Sequence, residues 1–511
     1  MRNNFLNWLF AVEVVLFGLI ITGVLPRETA LYLGAALVIY FLTVPVEDSI
    51  IFFVRSIPLF LAMPLTDSFD NFNVWRILVV IIFLKWLWPQ IPNYKSQITN
   101  KLQTSNYKQF LKPSFLLIVL LFLAALSIIP APDKVAAIKR IIYFMNFAFL
   151  GIVIYHKVAD PVKSQSDHGA GKEFAKRLIK NSIVPVVIVA AVGYVQIIST
   201  YFIDIYQFMR VWGEGIQCRQ FGEQWCNIAV QLGNTWFAYY GEQLSLRVFS
   251  LFPDSHSFPQ FVLLGIPAVL MVVQKKWLRI SALSLLFLII ILSGTRGIWA
   301  ASIGVILLAF AIMVWARKTK VEPETKSLFK RVTTYLIIFF IAFSVAFPIF
   351  SSPQFLIGKS DDILKARLRS IIDFGETSNA QRIEIWKKTL LSIKERPLLG
   401  VGIGNYPVVL GQDIRLAKAG SSAHNLYLHI AAEMGILAGI IFIWFLWLLF
   451  KRNYEIFVQE NSKQLGTYFA AMLIFVPWVL IYSLTDVAIF DERALLFMII
   501  PISIILGIAK K

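Results

Sequence analysis

Cysteine and histidine are scarce in this sequence, two and five in 511 residues. The two cysteines, Cys218 and Cys226, stand close together in the polar stretch "CRQFGEQWC". That stretch contains no histidine, so a zinc site there would lack ligands. In a loop placed outside the cytoplasm, their closeness favours a disulfide over two unrelated thiols. Acidic residues are outnumbered too: 30 against 48 Lys and Arg, a formal net charge of +18. Such an excess can serve nucleic acid, but no aromatic–basic patch or reader fold accompanies it, so no nucleic-acid partner is expected. The basic residues instead cluster at the ends of apolar runs, as positive-inside topology and anionic lipid produce. No repeat of the solenoid type is present.

Apolar residues are plentiful, 58% of the chain, against roughly 45–50% in a soluble domain. They lie in runs of about 17–25 residues, long enough to cross a bilayer as helix. Backbone in lipid must bond within its own segment, and barrel strands would be shorter and alternating. The expected fold is therefore all-α: a polytopic transmembrane helix bundle with about 14 spans and a large, partly helical extracytoplasmic loop. The spans fall near 5–25, 29–45, 49–64, 75–90, 114–130, 137–156, 182–204, 257–274, 280–293, 298–316, 332–350, 425–450, 466–485 and 493–509. The first resembles a signal peptide, but its apolar stretch is longer and no small-residue cleavage site follows, so it reads as an uncleaved span. The segment 280–293 can form a hairpin with 298–316, turned by "SGTRG".

Loop charge sets the orientation. Lys95, Lys101, Lys108 and Lys112 occupy one loop; Lys157, Lys163, Lys172, Lys176, Arg177 and Lys180 another; Arg317, Lys318, Lys320, Lys326, Lys330 and Arg331 a third. With alternating spans these share one side, which the positive-inside rule makes the cytoplasm, with both termini inside. Residues 1–511 then form a single integral membrane domain, with 205–256 and 351–424 as its two long outward segments. The second is basic as well, which suits an anionic partner near the membrane surface. Within it, "SNAQRIEIWKKTLLSIKERP" reads as a helix that Ser378 can cap and Pro397 ends, with Ile383, Trp386, Leu390 and Ile393 on one face. Gly400, Gly402 and Gly404 then alternate, allowing close backbone approach or unusual dihedrals. No strand-then-helix context surrounds them, which argues against a dinucleotide fingerprint.

Four charged or titratable residues gather on the outward side: Arg247, Arg296, Arg382 and His424. Each alone has an ordinary reading, as an interfacial anchor, a helix cap, a solvated helix residue or an idle interfacial histidine. Arginine near apolar surroundings is costly unless paired, and convergence of several on one face points to a functional site. His429 and Glu433 are four apart and share a helix face, whereas His424 points about 140° away from His429 on an ideal helix. Three ligands to one metal ion are not expected. His429 and Glu433 instead hydrogen-bond each other, relieving the cost of a buried carboxylate. Asn425, His429 and Glu433 thus support His424 from behind. Glu13 and Arg55 are candidates to pair within the bundle, and Asp486, Asp491 and Glu492 to orient basic groups.

The segments "RVFSL" (247–251), "SGTRG", "RPLLGVGIGNYP" and "AHNLYLHIAAEMGILAG" together resemble the O-antigen ligase and polymerase superfamily of bacterial envelope membrane proteins. Its marks are an Arg, three residues, then Leu, and later a His, ten residues, then Gly; Arg247–Leu251 and His424–Gly435 meet both. The likeness covers roughly residues 240–450. It implies a metal-independent, inverting glycosyltransferase without cofactor in the bacterial cytoplasmic membrane, its active site on the extracytoplasmic face. The donor would be a glycan on a polyprenyl pyrophosphate such as undecaprenyl pyrophosphate. The acceptor would be a hydroxyl of a growing glycan, of lipid A core in lipopolysaccharide synthesis, or of a protein. His424 is then the candidate general base, and Arg247, Arg296 and Arg382 the candidate pyrophosphate binders, since guanidinium is planar, always charged and bidentate to phosphate. A lipid-linked glycan transporter is the competing reading; transporters usually carry internal repeats and midplane sites, and here the polar groups gather at one face.

Overall fold

The computed structural model describes residues 2–65, 72–90, 113–159, 170–222, 225–226, 236–240, 243–316, 322–356, 377–414 and 421–508. The basic-loop residues Lys95, Lys101, Lys108, Lys112, Lys163, Arg317, Lys318 and Lys320 lie outside them. The N-terminal part comprises α1 (Arg2–Ile21), α2 (Thr29–Thr43), α3 (Val46–Ser56), α4 (Trp75–Leu87), α5 (Pro113–Leu126), α6 (Lys134–Ala159), α7 (Ala170–Asn181) and α8 (Ile183–Ser199). The segment 205–256 is more structured than a plain loop: α9 (Ile205–Phe208), a π-helical stretch (Met209–Gln217) and α10 (Cys218–Phe221) precede a hairpin of β3 (Phe237–Tyr240) and β4 (Gln243–Leu246). With β1 (Ala62–Met63) paired to β2 (Phe72–Asn73), these are the departures from helix among the described residues. Then follow α11 (Ser257–Val272), α12 (Lys276–Leu292), α13 (Arg296–Ala316), α14 (Glu322–Ser351), α15 (Thr377–Glu395), α16 (Leu426–Met434), α17 (Ile436–Gln459), α18 (Lys463–Tyr482) and α19 (Glu492–Gly507).

The chain is a multi-pass membrane protein. Among the described residues, six helical segments are long and apolar enough to cross a bilayer: Asn4–Ile21, Lys134–Ala159, Ala170–Ser199, Ser327–Phe350, Ile436–Gln459 and Lys463–Tyr482. Four shorter apolar helices accompany them, so the number of crossings by length and composition falls below the sequence expectation. At the centre, α11 is buried from Ser257 through Met271 and packs along α18. A helix apolar on every side belongs in the interior of a bundle. Both central helices end at the same place, where His256 precedes α11 and Tyr482 closes α18.

The expected span 425–450 is not one helix. It breaks at Gly435, whose φ of 89° is in the left-handed region. A Cβ there would stand 2.1 Å from the Leu398 carbonyl oxygen, so only glycine allows the approach. The Ile436 N–H donates to the Pro397 carbonyl (2.9 Å), and the Val401 and Gly402 N–H groups donate to the Ala432 and Glu433 carbonyls (both 2.9 Å). The glycine run therefore straps the C-terminus of α16, satisfying carbonyls that a helix end leaves bare. His429 and Glu433 consequently lie on a short helix ahead of the long one, α17.

Helix α15 forms where its apolar spacing places it, with one rotation of detail. It begins at Thr377, so Ser378 sits inside the first turn. Thr389 and Ile393 are buried while Leu390 is 55% exposed, so the packed face centres on Trp386, Thr389 and Ile393. Thr389 turns inward because its hydroxyl meets the Tyr406 hydroxyl at 2.6 Å. The suggested Glu13–Arg55 pair is also corrected. Glu13 accepts from Ser56 Oγ at 2.6 Å, whereas Arg55 donates to Asn181 and Asn7 side chains, each at 2.7 Å.

Candidate active site

His424 sits at the entrance to α16 and is held there by backbone chemistry. Asn425 caps the helix, its Oδ1 accepting from the Tyr427 and Leu428 N–H groups (3.0 Å each). The Leu426 N–H donates to the Ser483 carbonyl at 2.8 Å, tying the helix start to the end of α18. On the other side, Trp386 Nε1 donates to the Ala423 carbonyl at 2.9 Å. Between these anchors His424 takes a φ of 44°, rare for a residue with a Cβ. Its ring Nδ1 is buried and makes no hydrogen bond among the described residues. A ring nitrogen with no partner among the described residues keeps its bonding capacity for a bound group.

A second group faces it. Arg247 follows β4, its N–H donating to the Trp236 carbonyl at 2.8 Å. Its side chain runs past Gly294 of the "SGTRG" turn, where an added Cβ would lie 3.1 Å from Arg247 Cγ. Arg247 Nη2 lies 3.2 Å from His256 Nε2. The other nitrogen of that ring, Nδ1, is 3.1 Å from Asp486 Oδ2 and 3.0 Å from the Tyr482 hydroxyl. Asp486 also caps its own turn, Oδ1 accepting from the Val487 and Ala488 N–H groups. His256 is fixed in turn by Asp254, which accepts from the His256 and Ser257 N–H groups at 2.8 Å.

The two groups share one electrostatic field. Burial lowers the His424 imidazole below its ordinary value; Asp486 pulls it back up, while Arg382 pushes it further down, and the sum is a lowered pKa. Burial pushes the Asp486 carboxyl up, but the contact with His256, its hydrogen bond included, with His424 and Arg382 nearby, outweighs it and holds the group well below the usual carboxylate range. The geometry thus joins a neutral imidazole, a carboxylate and arginines of α15 and the β4 exit in one place.

Residues 281–443 match the family model described as O-antigen ligase. The chain carries an O-antigen ligase-family domain. The matched stretch contains Arg296, Arg382 and His424; Arg247 and His256 precede it and Asp486 follows it. No curated protein matches the chain.

Within the matched stretch, Arg296 is the first residue of α13, and the next residue, Gly297, packs against Tyr482 and Thr485. That puts the helix start beside the same Tyr482 that touches His256. His429 and Glu433 lie behind His424, with the Ala423 N–H 3.5 Å from His429 Nδ1. His429 Nε2 lies 3.5 Å from Glu433 Oε1, its ring stacks on Tyr406 at 4.6 Å, and Glu433 accepts from the Tyr406 N–H at 3.2 Å. With Arg140 they line one end of an apolar cavity of about 230 Å³ walled by α5, α6 and α19. The turn 486–493 divides its carboxylates. Asp486 serves the His256 group, whereas Asp491 caps α19 and Glu492 accepts from Asn73 Nδ2 (2.9 Å) and Trp75 Nε1 (2.8 Å). Cys218 and Cys226 are joined as a disulfide with their Cα atoms 4.8 Å apart. His256 escaped sequence reasoning. The available signal was its place nine residues after Arg247, at the mouth of the next apolar run.

Proposed function

We propose that the protein transfers a glycan from a polyprenyl pyrophosphate carrier to an acceptor hydroxyl, at the extracytoplasmic face of a bacterial cytoplasmic membrane. The observation that carries this reading is the dry, unbonded Nδ1 of His424 in the same electrostatic neighbourhood as Arg382 and the Arg247–His256–Asp486 group. His424 takes the proton of the acceptor hydroxyl as its oxygen attacks the anomeric carbon. The bond from that carbon to the carrier's phosphate oxygen breaks, and the electron pair leaves on the pyrophosphate. Attack opposite the leaving group inverts the anomeric centre. The donor brings its own leaving group, so neither nucleotide nor metal is required.

Arg247, Arg296 and Arg382 supply fixed positive charge where the pyrophosphate gains negative charge, an interaction stronger in the transition state than in the ground state. A lowered imidazole pKa keeps His424 unprotonated at neutral pH, the state a general base needs. The orientation that goes with this chemistry has about 14 crossings with both termini cytoplasmic, the shorter apolar helices crossing by packing against the longer ones.

Mass analysis of envelope glycans from a deletion strain tests the reading. Single repeat units stranded on the carrier indicate a polymerase, and long chains left on the carrier indicate a ligase acting on lipid A core or protein. An unchanged glycan profile contradicts both. Purified protein that moves labelled carrier across liposomes without any covalent transfer would make it a transporter instead.

A further inference from the structure

His256 has both ring nitrogens engaged, and its partners decide which one carries the proton. Arg247 can only donate, and its Nη2 is 3.2 Å from Nε2. Asp486 as a carboxylate can only accept, and its Oδ2 is 3.1 Å from Nδ1. A proton on Nε2 would face a guanidinium N–H, donor against donor. A bare Nδ1 would face a carboxylate oxygen, acceptor against acceptor. A doubly protonated ring would again set N–H against guanidinium. One arrangement satisfies every contact: Nδ1–H donating to Asp486 and a bare Nε2 accepting from Arg247. The Tyr482 hydroxyl, 3.0 Å from Nδ1, accepts a share of the same proton.

We infer that His256 is a positioning residue, a neutral imidazole of the Nδ1–H tautomer that transmits the fixed place of Asp486 to the Arg247 guanidinium and so aims it at the anionic leaving group. This rests on the glycosyl-transfer reading for what Arg247 binds, though not for the tautomer. Asp486 is anchored by its own backbone cap and His256 by Asp254, so the ring bridges two rigid points, the end of α18 and the start of α11. An arginine on a flexible stem loses rotamer freedom when it binds, and a preset hydrogen bond removes part of that loss beforehand. While Arg247 donates to Nε2 that lone pair is occupied, and the transfer reading assigns the acceptor's proton to His424.

The test uses full-length protein in lipid nanodiscs. Nitrogen-15 histidine labelling, with the His256 signals identified by their loss in His256→Asn, is expected to show a protonated Nδ1 and a bare Nε2 at neutral pH. Undecaprenyl pyrophosphate binding supplies the second readout. His256→Asn keeps a donor towards Asp486 but offers Arg247 nothing, and is expected to bind about tenfold more weakly with unchanged thermal unfolding. His256→Gln can reach Arg247 with an acceptor and is expected to restore most of the binding. The double variant His256→Asn/Arg247→Ala should bind no more weakly than Arg247→Ala alone, since the histidine acts through the arginine. A protonated Nε2, or additive losses in the double variant, would overturn the inference. A wild-type protein that binds no pyrophosphate would overturn the donor reading, while the nitrogen signals still decide the tautomer.

Discussion

Trp386 reaches across from α15 to donate its indole N–H to the Ala423 carbonyl, 2.9 Å away and one residue before His424. This basic helix is thereby latched to the backbone of the candidate base. Phenylalanine at position 386 would keep most of the ring packing and lose this bond, with a net effect on stability of about 1 kcal/mol. The Trp386→Phe protein should accumulate and melt close to wild type yet transfer glycan roughly tenfold more slowly, because small displacements of a reacting group weigh heavily on rate. Parallel melting and turnover measurements check this; a large drop in melting temperature with unchanged turnover would make the contact merely structural.

The pH dependence follows from the sign of the His424 shift. Its pKa in the folded protein is lowered, chiefly by burial with Arg382 adding to it, against the opposing pull of Asp486. The base works only when neutral, so kcat/KM should hold down to the ordinary histidine range and fall on the acid side of it. Replacing Arg382 with Ala removes one of the lowering influences and should move that acid limb upward. A pH–rate profile of wild type and variant measures both. An acid limb above the ordinary histidine value would contradict the assignment of His424.

Gly435 is a test of the fold rather than of the chemistry. Its positive φ and the carbonyl 2.1 Å from a would-be Cβ make Gly435→Ala a strained substitution. The expected loss is on the order of 2–4 kcal/mol, or failure to accumulate, from left-handed backbone strain and displacement of the Leu398 carbonyl. Gly411 provides the control: it too has a positive φ, 72°, but open space around the position of a Cβ. Gly411→Ala should therefore destabilise by no more than about 1 kcal/mol. Comparable melting temperatures for the two variants would contradict the packed turn at Gly435.

Much of this was legible in the chain because the bilayer imposes a strict period and length on apolar runs. The central helices α11 and α18 and the outward helix α15 lie where apolar spacing puts them. The split at Gly435 was not legible, because the reason for it is the Leu398 carbonyl, 37 residues away in sequence and in a different loop. The outward face of Leu390 has a similar cause: Tyr406 offers a hydroxyl to Thr389, and apolar periodicity does not register a buried threonine. At the site, Arg247 and His424 could be picked out as charges next to apolar sequence. His256 could not, since its importance lies in two partners at sequence distances of 9 and 230 residues. Asp486 was one of three acidic residues in a short turn, and only packing separates it from Asp491 and Glu492.

The most direct test is in vitro transfer by the purified protein, with a lipid-linked glycan donor and acceptor, comparing wild type with His424→Ala. The account predicts that the variant inserts normally and still binds undecaprenyl pyrophosphate, but forms new glycosidic bonds about 10²–10⁴-fold more slowly. Product formation by His424→Ala at a rate near that of wild type would contradict it.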